Sequence, residues 1–130
     1  MKTHRDLIIW RKSIDFVTKI YQLTSKFPKD ENYGLSSQLR RAAVSIPSNI
    51  AEGAARHSKK EFRNFLSIAL GSAAELETQL LIALNLEYII PSEFDNFLNE
   101  LIQIRKMIHG LINNIEKKLI TDYSLLFTDY

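Results

Sequence analysis

At 130 residues and 15.0 kDa, 45% hydrophobic and 25% charged, the chain has the length and composition of one ordinary globular domain. It contains no cysteine, which excludes disulfide frameworks, Cys-ligated zinc, iron–sulfur clusters and thiol catalysis. The formal charge is only +2, but residues 1–65 carry +7 and residues 66–130 carry −5, an asymmetry that suits either a phosphate-attracting face or two halves that attract each other.

The apolar run Leu7 to Trp10 is too short for a signal-peptide core. The longest stretch free of Lys, Arg, Asp and Glu, Asn64 to Ala74, falls short of the roughly 20 residues of a membrane span. The expectation is a soluble, cytoplasmic protein with no membrane partner.

Helical periodicity is the dominant pattern along the chain. Trp10, Ile14, Val17, Tyr21 and Thr24 form one row, and Phe16, Ile20, Leu23 and Phe27 form a second beside it. The first helix is expected over about 7–27, stopping before Pro28 and the polar loop Lys29-Asp30-Glu31-Asn32.

The second helix has the row Leu35, Leu39, Ala42, Ile46, Ile50, with Pro47 inside it. A proline in a helix interior costs about 3 kcal/mol or more, so the chain either breaks there or kinks and continues. Because the row keeps its phase across the proline, the kinked continuous helix is the expectation. Ala42, Ala43, Ser45, Ser48, Ala51, Gly53 and Ala54 are small enough for a neighbouring helix to approach, and Gly53 is a plausible stop.

Ser58-Lys59-Lys60-Glu61 has the capping-box pattern and opens the third helix. Phe62, Phe65, Ala69, Ala73 or Ser72, Leu76, Leu80 and Ala83 then run in near-heptad rhythm to about Leu86. Leu66, Ile68, Leu70, Leu81, Ile82 and Leu84 fall outside that row, which implies burial on more than one side, within the bundle or against another subunit. Pro91-Ser92 starts the fourth helix, carried by Phe94, Leu98, Leu101, Ile104 or Arg105, Ile108, Ile112, Ile115 and Leu119 to about Ile120. Residues 121–130 lack helical phasing and read as a C-terminal tail, docked or frayed, beside a domain spanning 1–120. With no hairpin signal and no sustained alternation, the fold class is all-α, an antiparallel up-down-up-down four-helix bundle.

A bundle can hold two metal ions through inward Glu-x-x-His motifs, but none precedes His4, His57 or His109, so no metal or other cofactor is expected. Glu75 and Glu77 point in different directions, and Glu75 is read as a salt-bridge partner for Arg40 or Arg41, or as a solvated carboxylate. A Gly-rich phosphate loop and a Gly-x-Ser-x-Gly elbow are both absent, and no enzyme is expected. The basic residues carry more. Arg56, Lys59, Lys60 and Arg63 recur at helical intervals around the start of helix three, with His57 beside them, and Arg40 and Arg41 flank the polar side of helix two. Together they read as a patch for phosphates that does not read bases, against the plainer alternative of a solvated face. Aromatic residues mostly follow the apolar rows, leaving no evident stacking platform for single-stranded bases.

Three strings in this chain carry a resemblance. They are Asp6-Leu7-Ile8-Ile9-Trp10-Arg11-Lys12, the long helix-two run from Gly34 through Leu39-Arg40-Arg41-Ala42-Ala43-Val44-Ser45-Ile46-Pro47-Ser48-Asn49-Ile50-Ala51-Glu52-Gly53, and the helix-three run Lys60-Glu61-Phe62 through Leu66-Ser67-Ile68-Ala69-Leu70-Gly71-Ser72 to Glu75-Leu76-Glu77-Thr78-Gln79-Leu80. The chain resembles, over about residues 6–115, the bacterial four-helix-bundle family named after proteins encoded in 23S rRNA intervening sequences. That resemblance implies a ring-like homopentamer without enzymatic activity. A related branch, the accessory protein of diversity-generating retroelements, binds nucleic acid through a basic surface and associates with a reverse transcriptase. By that analogy the partners are sister copies, RNA or DNA, and a reverse transcriptase, with Arg40, Arg41, Arg56, Lys59, Lys60 and Arg63 making the phosphate contacts. A structural or interaction scaffold without nucleic-acid binding is the alternative.

Overall fold

The computed structural model describes the backbone of residues 4–128 and the side chains of residues 6 and 8–125. Within it lie α1 (His4–Thr24), a 3-10 turn (Lys29–Glu31), α2 (Leu35–Ala54), α3 (Lys59–Asn85) and α4 (Pro91–Thr128), with no strand among the described residues. Connections of a few residues, 55–58 and 86–90, turn the chain back on itself, as antiparallel neighbours require. The helices pack in a ring, α1 on α2, α2 on α3, α3 on α4 and α4 on α1. The up-down four-helix bundle expected from periodicity is the fold.

In α1 the second of the two rows faces inward: Phe16, Ile20 and Leu23 are buried, together with Ile9, and Phe27 is buried just beyond the helix, which ends at Thr24 and not near residue 27. Trp10, Ile14 and Val17 of the first row are half-buried on its flank, and Tyr21 is exposed. Helix α2 passes through Pro47 unbroken, with Leu39, Ala42, Ala43, Ile46 and Ile50 all in the core. Burying that face outweighs the lost amide donor, since tertiary packing supplies most helical stability.

Gly53 does not act as a stop. Helix α2 ends one residue later, and a β-carbon at position 53 would lie 2.8 Å from Phe65 Cβ and 2.9 Å from Phe62 Cδ1. The glycine is there so that α2 and α3 can touch. Ser72 Oγ of α3 adds a 2.7 Å hydrogen bond to Ser45 Oγ across the same seam.

Helix α3 begins as the capping pattern predicts, with the Ser58 hydroxyl accepting from the Glu61 amide at 3.2 Å. Its core row includes Leu66, which the heptad reading left outside, while Phe65 is only half-buried. The end of α3 carries no sequence signal because Glu87, not glycine, takes the left-handed conformation, with φ 63°. Tyr88 N donates to Ala83 O at 2.9 Å and Glu87 N to Leu84 O at 3.0 Å, the paired bonds that close a helix C-terminus.

Along α3, Ile68, Leu81 and Ile82 stay about half exposed, Ile68 and Leu81 about 140° apart around the helix, and Leu86 and Ile90 are exposed beyond it. This is the surplus surface that the second set of apolar residues predicted. By length and composition alone α3 is also apolar enough to cross a membrane. Here it lies between α2 and α4 with Leu66, Leu76 and Leu80 fully buried.

The expected tail continues α4 to Thr128 instead of leaving the helix near Ile120. Ile120, Tyr123 and Leu125 are exposed along it, so no burial imposes the 3.6-residue rhythm, and backbone hydrogen bonding extends the helix without one. The side chains of Leu126, Phe127 and Tyr130 lie outside the described residues.

Candidate nucleic-acid interface

The adjacent arginines of α2 take up different positions. A single step along the helix turns the side chain by about 100°, so Arg40 leans toward α1 while Arg41 faces solvent. The Arg40 Nε–H donates to Thr24 Oγ1 at 2.8 Å, and its guanidinium lies 4.7 Å from the centroid of the Tyr21 ring. Thr24 is buried and sends its own hydroxyl proton to Ile20 O at 2.8 Å, so its oxygen is oriented to accept from Arg40. Arg40 is thereby held with the N–H groups of its terminal nitrogens still available. Both arginines line an open cleft of about 480 Å³ between α1 and α2, together with Tyr21, Asn32, Ser37, Val44 and Ser45. None of the lining residues is acidic.

The other basic residues gather at the α2–α3 turn. Arg56 pairs with Glu52 at 2.6 Å and lies 5.1 Å from the Phe65 ring centroid, and Lys59 reaches Asp122 of α4 at 2.8 Å. Exposed pairs of this kind contribute about 0–1 kcal/mol and exchange readily for a phosphate. Lys60 is exposed and Arg63 half-buried, and among the described residues neither has a carboxylate within ion-pair distance; the same holds for Arg40 and Arg41. His57 is exposed beside them.

The six residues therefore form two clusters instead of the single patch expected. From Arg41 to Arg56 is roughly 22 Å along α2 at 1.5 Å per residue. Glu75 is exposed, which fits the solvated carboxylate of its two readings, and Arg40 is turned toward α1; on α3 it is Glu77 that pairs with a neighbouring helix, through Arg105 of α4 at 3.0 Å. Among the described residues no three His, Asp or Glu side chains gather as metal ligands, and His4 lies outside the described side chains.

Sequence reasoning placed a polar loop at Lys29-Asp30-Glu31-Asn32 but gave Glu31 and Tyr33 no role. Glu31 organises it: one carboxylate oxygen accepts from Leu35 N at 3.3 Å and the other from the Tyr88 hydroxyl at 3.0 Å, while Gly34 N donates to Glu31 O at 3.0 Å. Donating to that carboxylate, and facing its negative charge, raises the Tyr88 hydroxyl above its ordinary pKa. Its ring packs on Phe27 with centroids 5.3 Å apart, which ties the loop to the base of α4. The loop so held presents Tyr33 fully exposed, so an aromatic platform does exist. Its signal in the sequence was its position: a tyrosine in a polar loop, outside both apolar rows, has no core to enter.

An all-α bundle with basic clusters at both ends of its second helix is the class of protein that this geometry defines. The chain belongs to the 23S rRNA-intervening sequence protein family, whose model matches residues 5–110. A crystal structure of a protein of unknown function from the S23 ribosomal protein family of Bacteroides thetaiotaomicron VPI-5482 is similar, with TM-score 0.77 and 28% identity, over 84% of this chain and 98% of that one. No curated protein matches the chain.

Proposed function

We propose that this chain is a non-catalytic, cytoplasmic subunit of a homo-oligomer that binds RNA or DNA by phosphate contacts from Arg40, Arg41, Arg56, Lys59, Lys60 and Arg63. The observation that carries the reading is the lack of compensation: Arg40, Arg41, Lys60 and Arg63 sit on a half-chain of charge +7 with no carboxylate partner among the described residues. Cations spread over two clusters suit a backbone ligand that runs between them. A pentamer and a reverse-transcriptase partner are what the family resemblance adds.

Counterion release sets the test. If about four cations per subunit meet phosphates of a single strand, affinity falls about 50-fold between 50 and 200 mM salt. Gel-shift titration of an RNA at those two salt concentrations is expected to show this loss, and no binding at the lower one would end the proposal.

The exposed apolar flank of α3 supports a second reading, a scaffold whose basic half mates with the acidic half of the next copy. Reversing Lys60 and Arg63 to glutamate separates the two. Loss of RNA binding with the assembly intact favours the first reading; dissociation favours the second.

A further inference from the structure

We propose that the cleft between α1 and α2 receives one unpaired nucleotide of a bound strand, its phosphate held by Arg40 and Arg41 and its base stacked on Tyr33. The inference rests on the nucleic-acid reading above and adds which strand state is recognised and where.

The cleft has the right chemistry for a phosphate. Arg40 and Arg41 both line it, no acidic residue does, and Asn32, Ser37 and Ser45 supply neutral hydrogen-bonding groups. Its volume of about 480 Å³ is in the range of small-ligand pockets. Arg40 is already oriented by Thr24 and by the Tyr21 face, so little ordering remains when an anion arrives.

Tyr33 supplies what a phosphate pocket alone lacks. It immediately follows Asn32 of the cleft wall, and its side chain is 100% exposed. Rings of this kind bury roughly 150–250 Å² when they pack, yet this one packs on nothing among the described residues. Nor is it carried on a slack loop. The backbone on either side is fastened through Glu31, and Gly34 permits this, because a β-carbon there would lie 2.6 Å from Glu31 Oε1. Tyr21 is not the platform, since Arg40 already covers a face of its ring.

A base inside a duplex has both faces stacked and cannot reach such a ring without leaving the helix, whereas an unpaired base has a free face. Charge at the cleft and an exposed aromatic ring one residue beyond its wall thus select for single-stranded segments, where the more distant Lys60–Arg63 cluster would accept either form.

The test uses the full chain with a labelled single strand of about 12 nucleotides and a blunt duplex of the same sequence at low salt. Tyr33→Ala is expected to weaken single-strand binding roughly 5- to 100-fold and leave duplex binding unchanged, and Tyr33→Phe to restore it. Circular dichroism should match the parent chain, because the ring touches nothing that holds the fold. Unchanged single-strand affinity in Tyr33→Ala, or equal losses for both ligands, overturns the pocket while leaving nucleic-acid binding in place. A drop in solution mass in Tyr33→Ala also overturns it, by showing that a second copy covers the ring. If the parent chain binds neither ligand, the broader reading fails with it.

Discussion

Gly53→Val is expected to destabilise the protein by about 2–3 kcal/mol, the usual scale for forcing side-chain atoms into a closed seam. The substitution adds three carbons where even one would sit 2.8 Å from Phe65 Cβ and 2.9 Å from Phe62 Cδ1. Phe65 Cβ is anchored to the backbone and cannot swing away, so α2 and α3 must separate. Gly53→Ala is the informative intermediate: it gains up to about 1 kcal/mol of helix propensity and still meets the same atoms, so it too loses stability, but less. Urea unfolding at one fixed protein concentration checks the series, since the stability of an assembly depends on concentration. A stabilised Gly53→Ala would show that the glycine is not spacing the helices.

Leu76→Ala is expected to cost about 3–5 kcal/mol. Leu76 is fully buried at the middle of α3, and truncating it removes the transfer energy of its lost carbons and leaves a cavity. Ile82, one and two-thirds turns further on and 43% exposed, makes the contrast. If a lone bundle were the whole molecule, Ile82→Ala would change stability little; against a sister copy, it loosens the assembly at low protein concentration. Urea unfolding of both variants at two concentrations separates these effects.

Much of the fold was legible because helical burial imposes a rhythm that no other element shares. Ile46 and Ile50 kept phase across Pro47, and the helix continued as that phase required. The inward row of α1 was harder to select, because two rows lay side by side and only packing against α2 and α4 decides between them; Phe16 turns in, its ring edge-on to Phe97 at 5.8 Å. Past Ile120 the rhythm stopped, and the helix did not, because exposed residues leave no periodic trace.

The site was legible only as a set of cations. Spacing along a helix showed which side chains share a turn and how far Arg41 stands from Arg56, but not that Arg40 would be fixed against Thr24 and Tyr21 of α1. The partner of Lys59, Asp122, stands 63 positions away in the segment read as a tail. Tyr33 was invisible as a platform because exposure is a property of the folded surface, and Glu31 holds it there through bonds to residues from two other parts of the chain.

A single copy of this bundle leaves Ile68, Leu81 and Ile82 of α3 in water, and the proposal is that sister copies cover them. Sedimentation equilibrium of the full chain at physiological salt tests that most directly. A particle of about five times 15.0 kDa is the expected result. A monomer at micromolar concentration, stable with that flank wetted, would contradict the account.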